Sequence, residues 1–190
     1  MHALGGTLLA LGIQELNAAE AEEFVAKASF LVENSAWVLE RAAPQRPFSS
    51  PDALCNAIDS EIRASGQSEQ FRLFNAHPEL AGTEALAGTM TAASTGEQGR
   101  LGFNALDKTD LERLRRMNRE YRDRFGFPFV IALRRQPSLA AVFAEFQRRL
   151  EHTLEQEISE TISEIMHVVR GRAAAIANDA APAPSTNEEI

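Results

Sequence analysis

Residues 153–177 read TLEQEISETISEIMHVVRGRAAAIA. Thr153 stands three residues before Gln156, the spacing at which a threonine hydroxyl and a glutamine side chain satisfy each other's backbone amides at a helix start. From there Leu154, Ile158, Ile162, Ile165, Val169 and Ile176 recur at mostly three- and four-residue intervals, which predicts one long helix with an apolar face. At about 100° per residue, Arg172 falls in the middle of that face. An arginine turned inward needs an anionic or hydrogen-bonding partner, because a bare buried charge is costly. It can also reach past the helix end to solvent, and spacing alone does not choose. Arg170 points away from the stripe. His167 lies opposite it and is expected to be exposed.

The same helical signals recur outward from this stretch. Ser138 precedes Leu139, Val142, Phe143, Phe146 and Leu150. Thr109 and Glu112 have capping-box spacing before Leu111, Leu114, Met117, Tyr121 and Phe125, with Gly126 and Pro128 as stop signals. Ser50 and Pro51 open a helix with Leu54, Ile58 and Ile62. Asn17 and Glu20 have capping-box spacing before a helix through Phe24, Ala28 and Leu31, and this helix or its successor reaches Trp37 and Arg41. The stretch PQRPFSSP (44–51) is a connector. Residues 82–104 contain five glycines and read as loop with short helical pieces. FVIAL (129–133) has strand propensity but no partner strand, so a buried extended turn or a helix start is expected. The fold class is therefore all-α, a single multi-helix bundle over residues 1–177, followed by a disordered tail at 178–190.

With 19 Lys and Arg against 27 Asp and Glu, the chain carries a formal charge of −8, unsuited to general nucleic-acid binding or to an anionic membrane surface. No apolar run reaches the roughly 20 residues that cross a bilayer. The opening MHALGGTLLALGI has no Lys, Arg or clear cleavage site, so it does not read as a signal peptide. The single cysteine, Cys55, lies in an apolar-periodic stretch and reads as a core residue. A cytoplasmic location is the expectation.

Three places carry residues suited to chemistry. His77, next to Pro78, is expected at a helix end or in a turn, because proline disfavours helical dihedrals in the residue before it. Histidine exchanges protons near neutral pH, yet position alone favours a turn or cap role. Ser94 and Glu97 have capping-box spacing, a sufficient structural explanation, but they also place a hydroxyl and a carboxylate together at a helix start. Arg172 is the third. His2, His152 and His167 show no ligand spacing, so no metal site is expected. Arg113, Arg115, Arg116, Arg119, Arg122 and Arg124, interspersed with Glu112, Glu120 and Asp123, read as a solvated face with ion pairs. Neither GxSxG nor GxGxxG occurs in a fitting context.

The motifs ENSAWVLERA with RPFSS (33–50), AHPELAG (76–82), STGEQ (94–98), YRDRFGFPFVIA (121–132) and EIMHVVRGR (164–172) occur in this order. On them the chain resembles the OHCU decarboxylase family over about residues 20–177. These enzymes act on 2-oxo-4-hydroxy-4-carboxy-5-ureidoimidazoline. The resemblance implies an all-α homodimer without cofactor or metal. It implies a small-molecule substrate, decarboxylated with stereospecific protonation to (S)-allantoin in urate breakdown. It places the catalytic histidine at His77, with Glu97 and Arg172 as its partners. It places substrate contacts at Pro78, Ser94 and Gln98, and at the backbone of Phe129, Val130, Ile131, Ala132 and Leu133. Thr83-Glu84, and ALRRQ at 132–136, depart from the family pattern at the rim. A non-enzymatic helical binding protein remains the competing reading and predicts His77, Glu97 and Arg172 far apart. A related ureido acid is the competing substrate.

Overall fold

The computed structural model describes residues 11–82 and 88–179. Nine α-helices follow one another among the described residues: α1 (Ile13–Ala18), α2 (Ala21–Ala28), α3 (Ala36–Ala42), α4 (Pro51–Ala64), α5 (Gln67–Asn75), α6 (Ala92–Arg100), α7 (Lys108–Phe125), α8 (Leu139–Leu150) and α9 (Leu154–Ala173). Short 3-10 turns join several of them. The all-α expectation holds. The only β-type pairing among these residues is an isolated bridge between Gly12 and Ala177, where Ile13 N–H donates to the Ala177 carbonyl at 3.0 Å. Thr83 and Glu84, and the predicted tail beyond Asp179, lie outside the described residues.

The 20-residue α9 is the axis of the fold and spans about 30 Å. Thr153 and Gln156 form its capping box. It packs against α4 and the 3-10 turn Ser29–Leu31, while α4 also packs on α3. Because α9 has neighbours on several sides, its buried set extends beyond the predicted stripe to Glu157, Thr161, Glu164, Met166 and Val168. Two expectations change as a result. His167 is half-buried rather than exposed, and Leu154, in the first turn, is 42% exposed.

Ser50 and Ser138 cap α4 and α8, each accepting from the amide three residues on. Three other predicted caps are corrected. Asn17 lies inside α1, and its side chain instead exchanges two 2.8 Å hydrogen bonds with the backbone of Phe48. Asp107, not Thr109, caps α7 by accepting from Asp110 N–H at 2.8 Å. Thr91, not Ser94, caps α6. In each of the last two an acceptor two or three residues earlier reaches the free amides first.

Gly126 ends α7 with φ +84°, the left-handed conformation that glycine adopts without Cβ strain. The chain then re-enters the core. Phe127 packs edge-on against Phe71, Phe74 and Tyr121, while Phe129 stacks on Phe146 at 3.9 Å. FVIAL is neither strand nor helix until the 3-10 turn Leu133–Arg135, and it is buried throughout. Behind it lies a charged group that sequence periodicity did not expose. Arg149 and Glu157 are ion-paired with both side chains fully buried, and Tyr121 O–H donates to the same carboxylate. Arg149 also donates to the Val130 carbonyl at 2.8 Å and to Thr161 Oγ at 3.0 Å, so its charge is matched. The arginines of α7 are solvated as expected, but their contacts run outward rather than to Glu112, Glu120 or Asp123: Arg122 pairs with Glu79 at 2.7 Å, and Arg113 lies over Phe143.

Candidate active site

The residues singled out from sequence converge at one end of the bundle. Helix α5 ends at Asn75, and His77 follows in the turn before Pro78, as the dihedral argument required. The loop 76–82 is pinned by three side chains from α6 and α7. Gln98 accepts from Ala81 N–H at 3.0 Å and donates to the Glu79 carbonyl at 3.2 Å. Asn118 donates to the Leu80 carbonyl at 3.0 Å, and Arg122 holds the Glu79 carboxylate. These ties sustain a positive φ of 47° at Ala81, unusual for a residue with a Cβ. Gln98 thus shapes the loop that carries His77.

On α6, Ser94, Glu97 and Gln98 are three or four residues apart and so share a face. Arg172 crosses from α9 to meet that face. Its Nε and Nη2 donate to the two Glu97 oxygens at 3.1 and 3.0 Å. Nη2 also lies 3.4 Å from Ser94 Oγ. Nη1 donates to Glu33 at 2.9 Å and to the Phe30 carbonyl at 3.3 Å. The inward turn read from the apolar stripe is correct, and its partners are internal carboxylates. Arg170 reaches Asn56 instead, at 3.1 Å.

A cavity of about 40 Å³ is lined by His77, Pro78, Ser94, Glu97, Gln98 and Arg172. Phe129, Val130, Ile131 and Leu133 form its opposite wall. Ala132 is not on that wall: its amide donates to buried Glu164 at 2.7 Å. The Val130 and Leu133 carbonyls are engaged by Arg149 and Arg100. The amide and carbonyl of Ile131 make no hydrogen bond among the described residues, which leaves them for a ligand. The cavity opens beside a cleft of about 240 Å³ that shares His77 and Pro78.

His77 Nδ1 lies 2.9 Å from the Leu73 carbonyl, which can only accept. Nδ1 therefore carries the proton and Nε2 presents a lone pair. Burial of the ring among protein atoms disfavours the imidazolium; the Leu73 carbonyl and Glu33 favour it but do not compensate, and the pKa falls below the ordinary histidine value. The ring is therefore neutral at pH 7, with Nε2 free to accept a proton. Glu33 was missed from sequence. Burial opposes its ionisation, but the Thr91 hydroxyl and Arg172 more than offset this, holding its carboxyl below the usual range. With two carboxylates around one guanidinium and a neutral histidine, the set is net anionic. Cys55 is buried on α4, and burial pushes its thiol up to about 11, as suits a core residue.

No group of three or more His, Cys, Asp or Glu among the described residues is arranged to hold a metal ion. No helix among them is long and apolar enough to cross a membrane. The convergence of His77, Glu97 and Arg172 contradicts the competing reading, which requires them apart.

The sequence profile of the OHCU decarboxylase family matches residues 17–174. A 2-oxo-4-hydroxy-4-carboxy-5-ureidoimidazoline decarboxylase of Haloferax volcanii is 34% identical over 165 residues, covering 86% of this chain and 95% of its own. The Mus musculus protein of the same name is 36% identical over 154 residues, covering 81% of this chain and 86% of its own. Among solved structures, an (S)-allantoin synthase superposes with a TM-score of 0.68 at 23% identity, covering 87% of this chain and 54% of that one, a likeness of fold. The profile spans most of the chain and the relatives align over most of their own length, so the chain belongs to the OHCU decarboxylase family.

Proposed function

We propose that this protein is a carboxy-lyase that converts 2-oxo-4-hydroxy-4-carboxy-5-ureidoimidazoline to (S)-allantoin and CO2 in urate degradation. The observation that carries the reading is the meeting of His77, Glu97 and Arg172 on one side of a small cavity whose opposite wall is apolar, in a chain of this family. In the reaction the bond from the ring carbon to the carboxylate breaks and CO2 leaves. The electron pair passes into the neighbouring ring C=N bond, whose nitrogen takes a proton from solvent. The hydroxyl-bearing carbon becomes a carbonyl as its O–H proton departs, and a proton is added at the carbon bearing the ureido group. That last addition sets the product's handedness.

Neutral His77, held by Leu73, is placed to accept the hydroxyl proton at Nε2 and return it to one face of the ring. Arg172 anchors the carboxylate, and Glu97 orients a substrate hydroxyl or N–H. The Ile131 backbone and Ser94 fix the ring's orientation against the Phe129–Leu133 wall. The same reading makes the protein a cytoplasmic homodimer, with residues 1–177 as its helical domain.

The test is to generate the unstable substrate from urate with the two preceding enzymes and follow circular dichroism after adding this protein. Faster formation of one enantiomer is expected; an unchanged rate or racemic allantoin overturns the assignment. Sedimentation at micromolar concentration checks the dimer, and a single monomer boundary refutes it.

A further inference from the structure

Every N–H of the Arg172 guanidinium has a protein acceptor: Glu97 twice, Ser94, Glu33 and the Phe30 carbonyl. An anionic substrate group reaches it only by displacing one of them. The two carboxylates differ in what displacement would cost. The Glu33 side chain is 1% exposed, accepts from the Thr91 hydroxyl at 2.7 Å and stands outside the cavity that His77 shares with Glu97, lining instead the adjoining cleft beyond His77 and Pro78. The Glu97 side chain is 29% exposed, stands on that wall, and has no hydrogen-bond partner but Arg172 among the described residues. Moving Glu33 off Arg172 strands a buried carboxylate with one hydroxyl, whereas Glu97 moves into space that solvent can reach. Glu97 also holds the Nε/Nη2 edge, the planar two-donor fork that matches a carboxylate.

We propose that Glu33 is the permanent counter-ion and positioning residue of Arg172, and that Glu97 is its exchangeable counter-ion, giving up the Nε/Nη2 edge to the substrate carboxylate. The inference rests on the reading of the site given above. Thr91 completes the fixed half. Its hydroxyl donates to Glu33 and accepts from Ser94 N–H at 3.3 Å, tying the counter-ion to the first turn of the helix that carries Glu97.

Binding of hydantoin-5-acetate, a stable five-membered ring bearing a carboxylate, is measured by calorimetry and so does not depend on turnover. Removing the competing carboxylate by Glu97→Gln should tighten binding at least about ten-fold over the unmodified protein. Glu33→Gln should gain much less, within about three-fold, because Arg172 loses its anchor while Glu97 remains. An equal gain from both variants overturns the proposal, since general repulsion then explains it, and so does a larger gain from Glu33→Gln. Absence of binding to both the unmodified protein and Glu97→Gln also overturns it. If Glu33→Gln does not fold, Thr91→Val loosens the same anchor and should likewise give no gain of the Glu97→Gln size. A chain that binds the probe as expected yet does not turn over the ureidoimidazoline refutes the function and leaves the exchange standing.

Discussion

At the residue scale, the chemistry turns on which groups are charged. Neutral His77 makes the acid side of the pH profile the informative one. Activity should rise with pH through a pKa below the ordinary histidine value of about 6.5 and be level by pH 7, because only the unprotonated ring can accept. A midpoint above 7 in kcat/KM would falsify that assignment. His77→Asn keeps a polar group of similar size and should lower kcat by about 10²-fold or more, with an unchanged far-ultraviolet spectrum. Arg172→Ala is expected to cost more than activity. It leaves Glu33 buried without its cation, so stability should fall by about 3–5 kcal/mol in urea unfolding. In the unmodified protein the depressed Glu33 pKa contributes stability above the unfolded carboxylate value that is lost as pH falls through the folded one. The turn position of His77 was legible from a proline and the inward face of Arg172 from a stripe, but only the family resemblance joined them in one site. Glu33 was not, because its partner lies 139 residues away and nothing in its local pattern marks it as buried.

At the scale of elements, apolar periodicity marked the long helices α4, α7, α8 and α9, whereas α1 was not anticipated and α6 lies in a stretch read as loop with short helical pieces; helix starts were legible only where a single capping residue was available. Ser50 before Pro51, and Thr153 with Gln156, had no rival. Around 107–112 the sequence offers both Asp107 and Thr109, and the earlier residue caps. Asp107→Ala should therefore lower the melting temperature by about 2–4 °C, the effect of roughly 1 kcal/mol in a chain of this size, while Thr109→Ala should be nearly silent. The reverse order would show that α7 begins two residues later in solution. The FVIAL segment was ambiguous for a physical reason: its apolar residues face the core whatever the backbone does, so burial conceals the period.

At the scale of the whole molecule, the cavity wall is held from behind by the buried pair Arg149 and Glu157. Neither was recognisable in advance, since charged residues on helix surfaces follow no pattern that separates a buried pair from a solvated one. Glu157→Gln leaves Arg149 under-compensated in the interior, and a loss of about 3–5 kcal/mol is expected in urea unfolding. Because Arg149 also holds the Val130 carbonyl, the surviving folded fraction should show a weakened KM. The Gly12–Ala177 bridge has a topological consequence. The described chain leaves the bundle where it enters, with Ala177 N–H donating to the Leu11 carbonyl at 2.8 Å. A short glycine linker from Asp179 to Leu11 therefore closes the polypeptide into a ring, and a new opening at Ser65-Gly66, between α4 and α5, should yield a circularly permuted protein that folds and turns over.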